Sequence, residues 1–267
     1  MNREILVPKG TVAHIQDGKF VHYICQDNGS SELRGITLNC EGRTTANDTL
    51  GFALPGTPGS YILFKEMRAF YCVSQENILQ EFLLDEDLIW YEGMLQDERI
   101  KLAPNSGIAA TRTISGNTFV FFQNEGGNLQ YVHSDKTDEW KIGDELEQAK
   151  LGPGASMYAV TLEPMPHLFY AHPDGHIHDL AMVSDGGWDD SSIELTDVGS
   201  VQSKIFVVPT KLGYGLEFEI SEREVYAVHN GERVLIGKYV GGVYKHEDVE
   251  TFIWQLKAAV NDSDDEE

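Results

Sequence analysis

The chain has 267 residues, of which 43 are acidic and 20 basic, giving a formal net charge of −23. Such an acidic surface argues against nucleic acid and anionic membranes as partners, because both are themselves negatively charged. The sequence contains no run of eighteen apolar residues, so no transmembrane helix is predicted. Its length is in the range of a single all-β domain.

The N-terminus, MNREILVPKG, lacks the apolar segment of a secretory signal peptide, so we expect a cytoplasmic protein. Residues 5–7 are expected to form an extra strand that pairs with the last repeat and protects an exposed sheet edge. Three cysteines without a CxxC pair do not indicate a disulfide framework, and we expect them to be buried and free. They are Cys25, Cys40 and Cys72.

The same order of short apolar segments occurs five times, at intervals of about 48 residues. The leading strands are predicted to begin near Val12, Tyr61, Ile108, Met157 and Ile205. The second strands are predicted to begin near Phe20, Arg68, Thr118, His167 and Gly215. Turns between second and third strands are predicted at residues 27–29, 75–77, 125–127, 173–175 and 221–223.

The third repeat shows the pattern most clearly. Aromatic and β-branched residues fill 119–122 and 129–132, on both sides of the sequence Asn-Glu-Gly-Gly, which indicates a β-hairpin. A tryptophan closes the fourth segment in three repeats, and Ile236 takes the corresponding place in the fifth. These tryptophans are Trp90, Trp140 and Trp188.

A unit of four short strands cannot bury both of its faces alone, so neighbouring units must stack, as in a β-propeller. We therefore predict an all-β, five-bladed β-propeller over residues 1–260, in preference to a β-sandwich with evenly spaced strands. Its repeats lie near 11–60, 61–107, 108–156, 157–204 and 205–242. A short amphipathic helix is predicted over 247–259, followed by a disordered acidic tail at 261–267.

The second repeat carries Arg68, followed by Ala-Phe-Tyr, in its second strand and Glu81, preceded by Ile-Leu-Gln, in its third. Together with the later Trp, this pattern resembles the fungal fucose-specific lectin family, whose blades carry an Arg in the second strand, a Glu in the third and a later Trp. The resemblance implies a sugar between adjacent blades, held by Arg68 and Glu81 and covered by Trp140 of the next repeat, with His133 nearby. A small-molecule or fucosylated-glycan ligand is thus expected, and a homodimer is compatible with the pattern.

Other repeats depart from this pattern, with Thr118 and Tyr131 in the third and His167 and Asp179 in the fourth. At most one sugar site is therefore expected, between the second and third repeats. Two alternatives remain open for its residues. Arg68 and Glu81 can form a cross-strand ion pair, and the tryptophans can serve packing between blades.

Histidines cluster in the fourth repeat, with two aspartates among them. A tight turn around Asp174-Gly175 explains this segment as a polar hairpin, which we favour over a metal site. The cluster comprises His167, His172, His176, His178, Asp174 and Asp179. No nucleotide, hydrolase or zinc-protease motif occurs in the sequence, so neither a metal nor a cofactor is expected.

Whether the chain is an enzyme stays open at this stage. Lectin-like propellers also include cofactor-free cyclases of the hetero-Diels–Alder type from fungal secondary metabolism, which need an apolar pocket and a few polarising donors. The candidate residues for such a cyclase are Arg68, His133, Tyr170 and His178. A third alternative is an interaction scaffold without a small ligand.

Overall fold

The computed structural model describes residues 6–14, 20–27, 30–39, 43–64, 67–85, 87–135, 139–162, 165–193, 204–209, 222–229, 232–240 and 243–246. Within these ranges the chain forms five antiparallel sheets of four strands each, in which strands that follow one another in sequence are paired. No helix in the described part of the chain is long and apolar enough to cross a membrane.

Each sheet is built from one repeat. The first contains β1 (Leu6–His14), β2 (Phe20–Asp27), β3 (Glu32–Asn39) and β4 (Thr44–Phe52). The second contains β5 (Ser60–Phe64), β6 (Met67–Val73), β7 (Leu79–Leu84) and β8 (Trp90–Glu92). A short 3-10 helix, Leu95–Glu98, follows β8.

The third sheet contains β9 (Ile108–Arg112), β10 (Thr118–Gln123), β11 (Leu129–Ser134) and β12 (Trp140–Ile142). The fourth contains β13 (Met157–Leu162), β14 (Met165–Ala171), β15 (Ile177–Met182) and β16 (Trp188–Ile193). The fifth contains β17 (Lys204–Pro209), β18 (Glu222–His229), β19 (Glu232–Val240) and β20 (Val243–His246).

The turns between second and third strands lie where the sequence predicts them in the second, third and fourth sheets. In each, one turn residue has a positive φ, which Gly and Asn tolerate better than other residues. These residues are Asn77 (φ 63°), Gly127 (φ 81°) and Gly175 (φ 91°). The predicted tryptophans also lie as expected, since Trp90, Trp140 and Trp188 begin β8, β12 and β16.

The chain divides into two compact units, Met1–Gly154 with the first three sheets and Ala155–Glu267 with the last two. In the first unit, the leading strand β5 lies beside both β1 and β9. One apolar cluster fills the space between the first and second sheets, and another the space between the second and third. In the second unit, β13 lies beside β17.

Two predictions about the first repeat are wrong. The leading strand begins at Leu6 rather than near Val12, and a register shift after Pro8 lets it continue to His14. Leu6 and Val7 pair with Asp27 and Gln26 of β2, so this segment is part of the first sheet's own leading strand. It is therefore not an extra strand of the last repeat.

The fifth repeat also departs from the prediction. Glu222 and Arg223 lie in β18, where a turn was expected, and Ile236 lies in β19, the third strand, rather than in the fourth. The residues between the paired positions His229 and Glu232 read Asn-Gly, the strongest two-residue hairpin signal, and this local signal outweighs the period of the other repeats. Gly215, the helix predicted over 247–259 and the acidic tail lie outside the described residues. The number of blades stays a prediction.

Candidate functional site

The hairpin of β6 and β7 places Tyr71 and Glu81 side by side on one face of the second sheet. The two residues are directly paired across the strands, and both are buried. The Tyr71 hydroxyl donates a hydrogen bond of 3.2 Å to Oε1 of Glu81. Since glutamate is almost never fully buried without partners, this carboxylate is an unusual component of a sheet interface.

The chain after β8 fixes the position of the Glu81 side chain. The Gly93 N–H donates to the Glu81 carbonyl at 3.0 Å, and the carboxylate of Glu81 occupies the space where a β-carbon at position 93 would lie. Gln96, in the 3-10 helix, accepts the Glu81 N–H through its side-chain oxygen at 3.2 Å. The carboxylate is therefore held by its surroundings before any ligand binds.

Trp140, at the start of β12, covers the same group from the third sheet. Its ring meets that of Tyr71 edge-on, with centroids 6.1 Å apart and planes at 80°. Trp140 is half-buried against the apolar cluster between the two sheets, which includes Leu79 and Val120. Glu81, Tyr71 and Trp140 thus form one polar and aromatic group between the second and third sheets.

Arg68 does not belong to this group. Side chains alternate between the two faces of a strand, and Arg68 pairs with Leu84 while Glu81 pairs with Tyr71, so the two side chains lie on opposite faces. Nη1 of Arg68 lies 3.1 Å from Nδ1 of His22 in the first sheet. The predicted pair of Arg68 and Glu81 is therefore not brought together, whether as a ligand clamp or as a cross-strand ion pair.

Tyr61 lies on the same side of the second sheet as Arg68. Burial raises the pKa of Tyr61 to about 12, although the nearby positive charge of Arg68 acts to lower it. The Tyr61 ring packs against Trp90, with centroids 6.0 Å apart. Trp90 also packs against the apolar cluster between the first and second sheets.

His133 is also separated from Trp140. Ser134 pairs with Trp140 and shares its face, so the neighbouring residue His133 lies on the opposite face of the third sheet. Its ring stacks on Phe119, with centroids 5.8 Å apart and planes at 20°. Burial lowers the pKa of His133, and the positive charge of Lys141 lowers it further, against the opposing effect of Asp135.

A histidine and an aspartate of the fourth sheet, His167 and Asp179, occupy the positions that the resemblance assigns to the sugar clamp. Asp179 corresponds to Glu81 in register. Asp179 pairs with Phe169, and Glu81 pairs with Tyr71. Phe169 and Tyr71 each lie two residues before the end of their strand. His167 Nδ1 lies 3.0 and 3.2 Å from the two Asp179 oxygens. Counting back from the strand ends, His167 corresponds to Ala69 rather than to Arg68. The sequence alignment is therefore one residue out of register in the second repeat.

A second polar group occupies the turn end of the fourth sheet. The donor atoms of His172, Asp174 and His178 all lie within 4.8 Å of one another. Slight burial acts to raise the pKa of Asp174, but hydrogen bonds from the His176 N–H and from His172 and His178 lower it far below its usual value. These three residues could hold a metal ion.

Tyr170 lies beside this group, with its ring centroid 5.4 Å from that of His178. The Tyr170 hydroxyl donates to Asp190, to which His178 is also bonded. Two of the four cyclase candidates are therefore neighbours in the fourth sheet.

The model of the fungal fucose-specific lectin family matches residues 57–251 of this sequence. The chain belongs to this family. No curated protein sequence matches this lectin-family chain.

Solved structures of lectins resemble it over most of its length. The fucose-specific lectin from Aleuria aurantia is 19% identical, with 90% of this chain and 77% of that one covered and a TM-score of 0.70. AofleA from Arthrobotrys oligospora is 18% identical, with 92% and 72% covered and a TM-score of 0.72. A lectin from Burkholderia pseudomallei is 16% identical, with 88% and 68% covered and a TM-score of 0.67.

The structural similarity to these lectins shows the fold of this family member, which is a β-propeller of four-stranded antiparallel sheets. The Aleuria lectin is described as a six-bladed propeller with its own mode of fucose recognition. Another structure of that lectin contains alpha-methyl-L-fucoside.

Proposed function

We propose that the protein binds a fucose-type sugar through carboxylates at one register position of its sheets. The observation that carries the proposal is the position of Glu81, a buried carboxylate between two sheets, next to the aromatic pair Tyr71 and Trp140. A carboxylate accepts hydrogen bonds from sugar hydroxyls, and an indole covers the apolar C–H face of a sugar ring and excludes water.

Asp179 gives the proposal a second position. It matches Glu81 in register, and the imidazole of His167 lies where the family pattern has its cation. Membership of a fucose-specific lectin family supports the same ligand class.

The face of the first sheet that packs on the second sheet carries Gly35, which pairs with Ile24, and the corresponding face of the third sheet carries Tyr131, which pairs with Phe121. Neither residue is a carboxylate, so we assign no sugar position to them.

Arg68 and His133 are outside this proposal because they lie on other sheet faces than Glu81 and Trp140. Because Arg68 lies on the opposite face from Glu81, it does not supply the bidentate contact that makes cation-assisted recognition strong. We therefore expect a weak interaction, with a Kd on the order of millimolar for the free monosaccharide, equivalent to about 4 kcal/mol.

The test is calorimetric titration of the full chain with L-fucose and with alpha-methyl-L-fucoside. Glu81→Gln and Asp179→Asn keep the side-chain shape and remove the charge, and we expect each to reduce saturable binding. Tyr131→Phe is the matched control, since it changes the equivalent position in the third sheet and removes no carboxylate.

Two results would count against the proposal in different ways. Unchanged binding in the Glu81→Gln, Asp179→Asn double variant would show that the protein binds the sugar, but not through Glu81 and Asp179. No saturable heat at millimolar sugar would refute the function itself. The cyclase and the interaction scaffold stay predictions. Each of these functions predicts that no saturable heat is observed with millimolar sugar.

A further inference from the structure

The hairpin between β14 and β15 gathers two imidazoles around one carboxylate oxygen. His172 Nδ1 lies 2.8 Å from Oδ2 of Asp174, and His178 Nε2 lies 3.2 Å from the same oxygen. The two rings are stacked, with centroids 4.1 Å apart. We propose that His172, Asp174 and His178 form a binding site for a divalent transition-metal ion of the zinc type.

The turn presents these three groups by its own hydrogen bonds. The His172 N–H donates to the carbonyl of His176 at 2.9 Å, and the His172 carbonyl accepts the Gly175 N–H at 3.1 Å. Gly175 has the positive φ that the turn requires. Oδ1 of Asp174 accepts the His176 N–H at 2.9 Å, which leaves Oδ2 directed at the imidazoles. The convergence is thus built into the backbone rather than produced by mobile side chains.

Counting protons shows why a cation fits at this place. His178 approaches a carboxylate at each ring nitrogen, Asp190 Oδ2 at 3.0 Å from Nδ1 and Asp174 Oδ2 at 3.2 Å from Nε2. A neutral imidazole carries one N–H, so one of these contacts would join two lone pairs. Either His178 is an imidazolium, or a cation lies between Nε2 and Asp174.

His172 faces the same oxygen. Its Nδ1 lies 2.8 Å from Oδ2 of Asp174 and 3.2 Å from the backbone nitrogen of that residue. With its proton on Nδ1, His172 donates a hydrogen bond to Oδ2; with its proton on Nε2, it presents the Nδ1 lone pair on the same side, where a metal ion would lie. A metal ion at this place would take the Nδ1 lone pair of His172 and the Nε2 lone pair of His178, both in their neutral forms.

The surroundings of His178 match those of a metal-bound histidine. Ligating imidazoles usually donate their other N–H to a carboxylate that is itself hydrogen-bonded. Here Asp190 takes that role for Nδ1, and the Tyr170 hydroxyl donates to Asp190 at 2.9 Å. This arrangement fixes the ring orientation and leaves the Nε2 lone pair directed at the site.

The distances from Oδ2 of Asp174 to the two imidazole nitrogens suit zinc with a small adjustment. Ligands at about 2.1 Å from a tetrahedral zinc ion lie about 3.4 Å apart. The contact between His178 and Asp174, at 3.2 Å, is already close to this value, and the 2.8 Å contact has to widen. Side-chain exposures of 17% for His172, 41% for Asp174 and 10% for His178 leave the site open to solvent on the aspartate side. A water molecule can complete the tetrahedron from there.

The donor set also determines which ions bind. Two imidazoles and one carboxylate favour Zn²⁺, Co²⁺ and Ni²⁺, whereas Mg²⁺ and Ca²⁺ prefer oxygen ligands throughout. We expect the metal to hold the β14–β15 turn to the outer strand through Asp190. Because the ion binds the folded chain, zinc should raise the melting temperature in a concentration-dependent way.

The first experiment titrates the metal-free full chain with ZnCl₂ by calorimetry. We expect one zinc per chain, and an affinity at least tenfold weaker in both His172→Gln and His178→Gln. His176→Gln is the matched control, because it removes a histidine of the same turn that is not among the three ligands. Should His178→Gln fail to fold, His172→Gln still tests the site from its more exposed side.

The second experiment uses Co²⁺ in place of Zn²⁺ and records the visible absorption of a tetrahedral ion. Asp190→Asn should weaken metal affinity about 10- to 100-fold, as changes to an outer carboxylate do. MgCl₂ in excess should leave the spectrum unchanged. If the wild-type chain takes up no zinc at micromolar concentrations, or if both ligand variants bind it as well as His176→Gln does, the proposal is wrong and the contacts of the two histidines with Asp174 are hydrogen bonds alone.

Discussion

The carboxylate of Glu81 lies over the Cα of Gly93, in the space that any side chain at position 93 would occupy. The same relationship recurs in the third sheet, where the ring of Tyr131 lies over Gly143. Both glycines donate their N–H to the carbonyl of the residue that covers them, at 3.0 and 2.9 Å. The glycine after the outermost strand thus makes room for a long side chain of the third strand in two repeats.

Gly93→Ala is therefore expected to displace Glu81 and to lower the free energy of unfolding by about 1–3 kcal/mol, as overpacking of a buried position does. Urea denaturation measures the change. Gly126→Ala is the control, because its β-carbon would meet its nearest neighbour, Oδ1 of Asn124, at 3.3 Å. Equal losses in both variants would show that the contact with Glu81 is not the cause.

The hydrogen bond between Tyr71 and Glu81 gives a second prediction. Tyr71→Phe removes a donor to a buried carboxylate, and we expect a loss of about 1.5–3 kcal/mol in the free energy of unfolding, typical of hydrogen bonds to charged groups. In a Glu81→Gln background the same substitution should cost less, since the charge is gone. A double-mutant cycle in urea measures this coupling, and additive losses would contradict it.

The sequence predicted the repeated architecture because strands and turns are encoded locally. Ile108, Thr118 and Met157 begin strands as expected, and glycines at positions 127 and 175 mark turns that require a positive φ. The family resemblance agreed with this reading. The fold could therefore be predicted largely without long-range information.

The composition of the candidate site could not be predicted in the same way. Arg68 and Ala69 are neighbours in sequence, yet they point to opposite faces of the sheet, so an alignment error of one residue moves a charge to another interface. Strand starts vary by a residue or more relative to the turns in the second, third and fourth repeats. Counted from the turn residues Asn77 and Gly175, Glu81 matches Asp179 as the sequence predicted, but His167 matches Ala69 rather than Arg68. The stacking of His172 on His178 could not be predicted from the sequence, because it depends on the conformation of the turn and on the contact of His178 with Asp190 in the outer strand.

The cysteines give a third prediction. Cys25 and Cys72 are free and buried, and burial raises the pKa of the Cys25 thiol although Arg34 acts to lower it. A buried thiol is protonated and out of reach, so neither should react with a thiol reagent in the native protein. In a Cys40→Ser variant, labelling should begin only when denaturant unfolds the chain. Rapid labelling of Cys72 in that variant in buffer would show that the interface between the first and second sheets opens.

His133 gives the last prediction, which concerns stability and pH. Its pKa is lowered in the folded protein, mainly by burial beside Phe119, so protonation is less favourable in the folded than in the unfolded state. As the pH falls through about 6.5, the unfolded chain takes up a proton that the folded chain does not, and the free energy of unfolding decreases. His133→Gln removes this contribution, so its melting temperature should fall less than that of the wild type between neutral and mildly acidic pH. NMR titration of the ring provides the direct measurement, with a pKa below the usual value of histidine as the expected result. Parallel melting curves for wild type and variant, together with an ordinary pKa, would mean that water reaches the ring and that the stack on Phe119 does not shield it.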